Sequence, residues 1–318
     1  MSTRHLIDPE LEAALEVLPP FELTPETLAA TRELMKEFAP PKETYWRDDV
    51  GVQAASAPGL NGAPDVPLIV YRPLEAKGPL PAIYFVHGGG YVFGTAETGA
   101  PACVDAAGEL PCVVVSVDYR LAPETLAPGP VEDCYAGLLW LHGHAAELGV
   151  DPNRIAIWGE SAGGGLAAAL ALMARDKGEV PVRLQMLIYP MLDDRTVSQG
   201  ARNPHVGEFV WTPAANRFGW QALLGREPGS EGSHYYAVPA RAEELKGLPP
   251  AFIAVGSLDL FLQEDIDYAS RLLAAGVPVE LHVIPGAYHA FEALAPQSAA
   301  AQAYFRLRRD ALERALRA

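Results

Sequence analysis

The sequence predicts an α/β protein with a mostly parallel central sheet and helices on both of its faces. Three observations predict this fold class. Short apolar runs rich in β-branched residues recur along the chain, as strands buried on both faces require. Segments with helical periodicity lie between these runs. The 318 residues are also enough to bury the large core of such a fold.

The predicted strands and helices alternate in chain order. The pattern becomes strand-like from Trp46, and the strands that follow are predicted at 68–71, 82–86, 113–117, 155–158, 184–189, 252–255 and 279–284. Helices are predicted at 11–18, 24–38, 131–148, 162–175, 265–275 and 299–316. This alternation is typical of a doubly wound sheet.

One long segment interrupts the alternation. Residues 191–248 contain Trp211, Trp220 and several prolines, and they are too many for a simple connection in a compact sheet. The expected organisation is a catalytic domain of residues 46–190 and 249–318, with 191–248 inserted as a helical cap. The N-terminal helices of residues 1–45 are expected to contribute to that cap.

Composition excludes several classes of protein. The formal net charge of −16 is the reverse of what binding to nucleic acid requires, and 49% hydrophobic residues exclude a disordered chain. Three scattered cysteines are too few for a disulfide framework or a zinc site. The N-terminus has no apolar signal region and no apolar run reaches the length of a membrane span, so a cytoplasmic protein without a membrane contact is expected.

The segment Gly159-Glu160-Ser161-Ala162-Gly163 is a Gly-x-Ser-x-Gly motif. A predicted strand precedes it and an alanine-rich predicted helix follows it, which is the context that a nucleophile elbow requires. Glycines on either side of the serine let the backbone fold back sharply. The motif predicts Ser161 as a nucleophile; the alternative is a glycine-rich strand-to-helix turn without chemistry.

A second glycine-rich segment, His87-Gly88-Gly89-Gly90, follows the predicted strand at 82–86. Backbone N–H groups that point at a tetrahedral oxyanion lower the barrier to acyl transfer. We expect Gly88, Gly89 and Ala162 to supply these N–H groups, and His87 to hold the loop in place. The spacing of these glycines does not fit a dinucleotide-binding loop, and no P-loop lysine follows the elbow.

The base and the acid are expected at the ends of later strands. His289 is the one histidine at the exit of a late strand, and Asp259 follows the strand before it. The order serine, acid, histidine is that of α/β-hydrolases. Asp259 would hold the histidine in the required tautomer. The alternatives for the acid are Asp193, Asp194, Glu264 and Asp265.

These motifs together resemble the hormone-sensitive-lipase-like family of esterases, and within it bacterial acetyl-ester hydrolases of the heroin-esterase type. The resemblance runs from about Pro81 to Phe291 and includes the segment from Asp118 to Glu124, Asp-Tyr-Arg-Leu-Ala-Pro-Glu. One departure is Glu160, where the family more often has aspartate. The resemblance implies an α/β-hydrolase fold and hydrolysis of acyl esters from acetyl to hexanoyl. It also implies no metal or organic cofactor, a small-molecule ester as substrate and a possible homodimer.

Aromatic residues in segments expected near the mouth of the site are candidates for the substrate pocket. They are Tyr91, Phe93, Tyr189, Phe209, Trp211 and Phe291. The other interpretation is that most of them pack the cap onto the core. The triad alone does not separate an esterase from a lactonase, an amidase or a peptidase. A binding protein on the same scaffold is disfavoured, because both Ser161 and His289 are present.

Overall fold

The central sheet contains strands that the sequence predicted. A computed structural model describes residues 2–16, 22–37, 41–198 and 203–317. The strands of these residues are β1 Val50–Ala57, β2 Val66–Pro73, β3 Leu80–Val86, β4 Val113–Val117, β5 Val150–Glu160, β6 Leu184–Ile188, β7 Ala251–Gly256 and β8 Val279–Ile284. Within the described chain they form one eight-stranded sheet in the order β1-β2-β4-β3-β5-β6-β7-β8. Only the pairs β1–β2 and β2–β4 are antiparallel, so the predicted mostly parallel sheet is confirmed.

The helices agree with the predictions less closely than the strands do. In the described ranges they are α1 Pro9–Leu15, α2 Leu28–Glu37, α3 Ala100–Glu109, α4 Gly129–Gly143, α5 Ala145–Leu148, α6 Ala162–Lys177, α7 Pro213–Leu224, α8 Leu262–Ala274, α9 Phe291–Leu294 and α10 Ala299–Leu316. The helix predicted at 131–148 was wrong as a single element, because the chain leaves helical geometry at His144. The patterns did not single out α3 or α7.

The two N-terminal helices differ from their predicted bounds. Helix α1 begins before the predicted position because Asp8 accepts a hydrogen bond from the N–H of Glu10, and Pro9 occupies the first turn. Helix α2 begins after Thr24, since the residues before Leu28 form a turn. The predicted ends at residues 18 and 38 lie outside the described residues.

The core lies on both faces of the sheet. Alternate residues of β3 point to opposite faces, so Tyr84 packs with α4 and α6, whereas Phe85 packs with α3 and α10. Strands β3 to β7 are buried over most of their length, as the uninterrupted apolar runs indicated. Within the described ranges, we find no helix with the length and apolarity needed to cross a membrane.

Parallel pairing determines where the functional loops lie. Strands β3, β5, β6, β7 and β8 run in the same direction, so their carboxyl ends meet at one edge of the sheet. Each of the predicted site segments leaves the sheet at this edge. Helix α7 falls within the stretch assigned to the cap; the division into catalytic domain and cap stays a prediction.

Candidate active site

Three side chains from separate loops meet at the carboxyl edge of the sheet. Ser161 follows β5, Asp259 follows β7 and His289 follows β8. The Oγ atom of Ser161 lies 2.9 Å from Nε2 of His289, and Nδ1 of His289 lies 2.7 Å from Oδ2 of Asp259. All three residues are buried. The structure therefore brings the predicted nucleophile, base and acid into one hydrogen-bonded chain.

The backbone at Ser161 has a strained conformation. Its φ of 56° and ψ of −121° are unfavourable for a residue with a side chain. Two hydrogen bonds of 2.9 Å hold it there: its N–H donates to the carbonyl of Ile188, and its carbonyl accepts from the N–H of Met191. Gly163 allows the start of α6 to approach β3, because a Cβ there would lie 2.1 Å from the carbonyl oxygen of Val86. This turn raises the Oγ atom of Ser161 above the sheet.

The hydrogen bonds of Asp259 determine the tautomer of His289. Oδ1 of Asp259 accepts the backbone N–H of Phe261 at 3.0 Å, while Oδ2 faces Nδ1 of His289. A carboxylate can only accept, so Nδ1 carries the proton and donates it. The lone pair of Nε2 is then directed at the hydroxyl of Ser161. The geometry leaves His289 able to take a proton from the serine.

The four alternative carboxylates have other partners or environments. Asp193 and Asp194 each accept from an arginine at 2.8 Å. Glu264 accepts from two backbone N–H groups at 2.6 and 3.1 Å. Asp265 is fully buried, and burial raises the pKa of its carboxyl well above the ordinary value. Asp259 is the carboxylate that contacts the imidazole of His289.

The glycine-rich loop after β3 lies directly against the serine. A Cβ on Gly88 would be 3.3 Å from Cβ of Ser161, and Gly89 has a φ of 120° that disfavours any larger residue. Within the described part of the chain, the N–H groups of Gly88, Gly89 and Ala162 donate to no protein acceptor. Ala162 begins α6, where the first N–H groups of a helix lack intrahelical partners. These three donors are therefore free to bind an anion beside Ser161.

His87 is buried and holds this loop in place through its contacts. Its Nδ1 donates to the carbonyl oxygen of Gly88 at 2.8 Å, and its ring stacks on Tyr119 with centroids 4.2 Å apart. The hydroxyl of Tyr119 in turn donates to the carbonyl of His87 at 2.9 Å. Burial lowers the pKa of His87 to about 4, so its imidazole is neutral at physiological pH. The sequence predicted no chemical role for the segment containing Tyr119. In the structure, the contacts of Tyr119 with His87 support the glycine-rich loop.

The titration of His87 makes stability depend on pH. Its pKa falls from 6.5 to about 4 on folding, so between these values the unfolded chain binds more protons. Its contribution to stability is complete above pH 6.5 and is lost as the pH falls toward 4. We expect His87→Asn, which retains a donor for the Gly88 carbonyl, to reduce the slope of unfolding free energy against pH by up to about 1.4 kcal/mol per pH unit. Urea unfolding across this range measures the slope, and an unchanged slope would contradict the assignment.

Two of the six aromatic candidates lie beside the imidazole of His289. The ring centroids of Tyr189 and Trp211 are 4.6 and 6.3 Å from that of His289. Trp211 also covers Gly90, where a Cβ would meet its ring at 2.2 Å. The indole N–H of Trp211 donates to Oδ1 of Asn216 on α7 at 3.1 Å, which fixes the ring. Sequence reasoning missed Asn216, since nothing in its local pattern indicates this contact.

The other aromatic candidates make contacts that stabilise packing. The hydroxyl of Tyr91 donates to the carbonyl of Met191 at 2.8 Å, and Phe93 is a partly buried neighbour of the main core. The ring of Phe209 lies 6.3 Å from that of Tyr288. The ring of Phe291 is buried against Tyr304 of α10, with centroids 5.8 Å apart. The structure does not bring Phe291 into ring contact with His289.

Backbone strain is concentrated around the site. Non-glycine residues with positive φ in the described chain include Tyr91, Ser161, Tyr189, Val210 and Ala290. Each of them lies in one of the site segments or next to a residue that contacts His289. Such conformations cost about 1–3 kcal/mol each and are retained where the surrounding structure determines the geometry of a site.

Comparisons with known proteins agree with this geometry. Residues 83–293 match a family model of the alpha/beta hydrolase fold. Carboxylesterase NlhH of Mycobacterium tuberculosis is 34% identical over 290 residues, which cover 90% of this chain and 88% of that protein. An ethyl acetate hydrolase of Pseudomonas putida is 32% identical over 240 residues, or 71% of each chain. The solved structure of a bacterial heroin esterase matches with a TM-score of 0.93 and 43% identity, over the full length of both chains.

The chain belongs to the α/β-hydrolase fold family. Its relatives confirm the predicted resemblance to the esterases of the hormone-sensitive-lipase-like group. By class the protein is a carboxylic ester hydrolase.

Proposed function

We propose that this enzyme hydrolyses short- to medium-chain acyl esters, from acetyl to hexanoyl, through Ser161, His289 and Asp259. The observation that carries the proposal is the chain of hydrogen bonds from the Ser161 hydroxyl to Nε2 of His289 and from Nδ1 to Asp259, at 2.9 and 2.7 Å. His289 is thus within hydrogen-bonding distance of both the nucleophile and the orienting acid.

The first half of the proposed reaction forms an acyl-enzyme. Nε2 of His289 takes the proton of the Ser161 hydroxyl as the serine oxygen attacks the ester carbonyl carbon. The carbonyl oxygen becomes an oxyanion that accepts from the N–H groups of Gly88, Gly89 and Ala162. The bond to the alcohol oxygen then breaks, and the protonated His289 gives its proton to the leaving alcohol.

The second half repeats the same proton transfers with water. His289 takes a proton from a water molecule whose oxygen attacks the acyl carbon, and a second oxyanion forms in the same N–H pocket. The bond to the serine oxygen breaks and His289 returns the proton to it, which releases the carboxylic acid. The carboxylate of Asp259 stabilises the imidazolium in both halves.

The preference for short acyl groups is supported by Trp211. Its ring lies over Gly90, next to the oxyanion loop, and 6.3 Å from the imidazole of His289. A rigid indole in this position limits the space that an acyl chain can occupy near the reacting carbon. The relative from Pseudomonas putida, an ethyl acetate hydrolase, acts on an ester with a small acyl group.

The cap belongs to the same proposal. Residues 191–248 supply Trp211, and Arg32 of α2 in residues 1–45 donates to Glu124 and to the carbonyl of Val92 near the site. We assign both segments to a cap over the catalytic domain of residues 46–190 and 249–318. A homodimer and a cytoplasmic location are further parts of the proposal, which sedimentation and cell fractionation test.

A series of p-nitrophenyl esters tests the proposed specificity. We expect kcat/KM to be highest between acetate and hexanoate and to fall by about tenfold or more at decanoate, because the longer chain meets the wall formed by Trp211. We expect Trp211→Leu to increase kcat/KM for decanoate relative to acetate. Initial rates measured below KM give both ratios.

Two sets of results would contradict the proposal. One is a rate that rises steadily toward palmitate; the other is faster hydrolysis of matched amides or lactones than of the short esters. Trp140→Ala is the control, because Trp140 is a partly buried residue of α4 whose ring stacks on His144. It should leave the profile of rate against chain length unchanged.

A further inference from the structure

A second buried carboxylate lies behind His289. Tyr189, at the end of β6, places its ring edge-on to the imidazole, with centroids 4.6 Å apart and planes at 61°. The hydroxyl of the same tyrosine donates to Oε1 of Glu292 on α9. Both residues are buried, with 3% and 5% of their surface exposed. Tyr189 therefore connects the imidazole of His289 to the carboxylate of Glu292. This carboxylate is separate from that of Asp259.

The charge of Glu292 is only partly satisfied by its contacts. Its Oε2 atom is buried and has no hydrogen-bond partner among the residues that the structure describes. Burial raises the pKa of Glu292, while the hydrogen bond from Tyr189 and the charges of Arg308 and His289 lower it. Burying a carboxylate so incompletely paired is costly, so its position calls for a function.

The other groups around Glu292 form a small buried charge cluster. They are Tyr189 and His289, already described, together with Tyr288, Glu160, Tyr304 and Arg308. Arg308 of α10 lies over the ring of Trp158 at 4.5 Å. Burial, and then the charge of Glu292, raise the pKa of Glu160 to about 7. Glu160 is thus partly neutral at physiological pH. Of these two carboxylates, Glu292 is the one whose charge interacts with His289.

We propose that Glu292 is a positioning residue for His289 and acts on it through Tyr189. The inference rests on the proposed function, since His289 must be the base. By holding the tyrosine hydroxyl, Glu292 fixes the ring that packs against the imidazole. Its negative charge also stabilises the imidazolium that forms in each half of the reaction.

The contacts distinguish this role from simple packing. A phenylalanine would fill the same apolar space as Tyr189 without introducing a buried hydroxyl, so packing alone does not require the Tyr189–Glu292 bond. Asp259 fixes only the Nδ1 edge of the imidazole, and the ring of Tyr189 supports another side of it. The two acidic residues thus act on different parts of the same base.

A double-mutant cycle tests the proposal. We expect Tyr189→Phe and Glu292→Gln each to lower kcat/KM for p-nitrophenyl acetate by about tenfold. The double variant should lose little more than either single variant, because both changes break the same connection. Glu292→Gln also removes a negative charge that stabilises the imidazolium, so the acidic limb of its pH profile of kcat/KM should move down by about 0.5–1 pH unit.

The control is a Tyr–Glu hydrogen bond remote from the site. The hydroxyl of Tyr135 donates to Oε2 of Glu179 at 2.6 Å. Glu179 follows the C-terminal end of α6, whereas Ser161 precedes the first residue of that helix. Tyr135→Phe should leave kcat/KM and the pH profile unchanged. Wild-type kcat/KM in Tyr189→Phe or an unchanged acidic limb in Glu292→Gln would overturn the proposal, and so would losses that multiply in the double variant.

Folding and the proposed function are controlled separately. Thermal unfolding identifies any variant that fails to fold, and Tyr189→Phe still tests the connection if Glu292→Gln does not fold. A fluorophosphonate probe should label Ser161 stoichiometrically in both single variants, but more slowly than in the wild type. In one outcome, the wild type hydrolyses esters through Ser161 while both variants hydrolyse esters and react with the probe at the wild-type rate. That result would reject the role of Glu292 and leave the proposed function intact.

Discussion

Replacing Ser161 with alanine is expected to lower kcat for p-nitrophenyl acetate by about a millionfold, because the covalent route loses its nucleophile. The Oγ atom makes its hydrogen bond to Nε2 of His289, so its removal changes the chemistry more than the packing. Residual activity should come from substrate binding and the N–H groups of the oxyanion loop. Steady-state rates and loss of fluorophosphonate labelling measure the effect.

Ser116→Ala provides a matched control for this variant. Ser116 is also buried and also makes a hydrogen bond, through its Oγ to the carbonyl of Ala96 at 3.0 Å, but it lies within β4. Its loss should cost about 1 kcal/mol of stability and leave kcat unchanged. Ester hydrolysis by Ser161→Ala within tenfold of the wild type would show that another group is the nucleophile.

The triad residues could be predicted because each one lies where a buried strand ends. Parallel strands bring their carboxyl ends to one edge, so positions separated by 98 residues, as Ser161 and Asp259 are, become neighbours without any local signal of the contact. The nucleophile elbow also requires small residues near the serine, and in the sequence this requirement is met by Gly159, Ala162 and Gly163. Chain order then distinguished His289 from the other histidines.

Contacts between side chains could not be predicted in the same way. Tyr189 and Glu292 are 103 positions apart, and their hydrogen bond depends on how α9 packs against the end of β6. Phe291 is next to the loop of the base in sequence, yet its ring faces Tyr304 because α9 turns it toward the core. Residue type and order do not determine side-chain direction within so short a helix.

The helix boundaries that were wrong have a similar physical origin. The pattern from 131 to 148 is apolar enough for one helix, but the ring of His144 stacks on Trp140 and the chain bends there. Helix α3 contains Pro101 and Gly108, which normally argue against a helix, although its proline occupies the tolerated first turn. In both cases a local contact or position, rather than the apolar pattern, decided where the helix lies.

The second large effect is expected from Asp259→Asn. Both carboxylate oxygens of Asp259 accept hydrogen bonds, Oδ1 from the N–H of Phe261 at 3.0 Å and Oδ2 from Nδ1 of His289 at 2.7 Å. An asparagine must turn its NH₂ group toward one of these two donors. If it faces His289, the imidazole adopts the other tautomer, and Nε2 then carries a proton where a base is needed. We expect kcat to fall by about 10⁴-fold, measured under the same conditions as for the serine variant.

The alternative orientation is the less stable one, which is why the loss should be large. Turning the NH₂ group toward Phe261 would leave two buried donors facing each other, at a cost of about 1–3 kcal/mol. Asp193→Asn is the matched control: its carboxylate pairs with Arg195 at a partly exposed position, so kcat should stay within a few-fold of the wild type. If Asp259→Asn kept a tenth of the wild-type kcat, or Asp193→Asn lost as much as Asp259→Asn, the assignment of the acid would be wrong. The two variants differ only in which carboxylate loses its charge, and this comparison therefore tests the orientation of His289 directly.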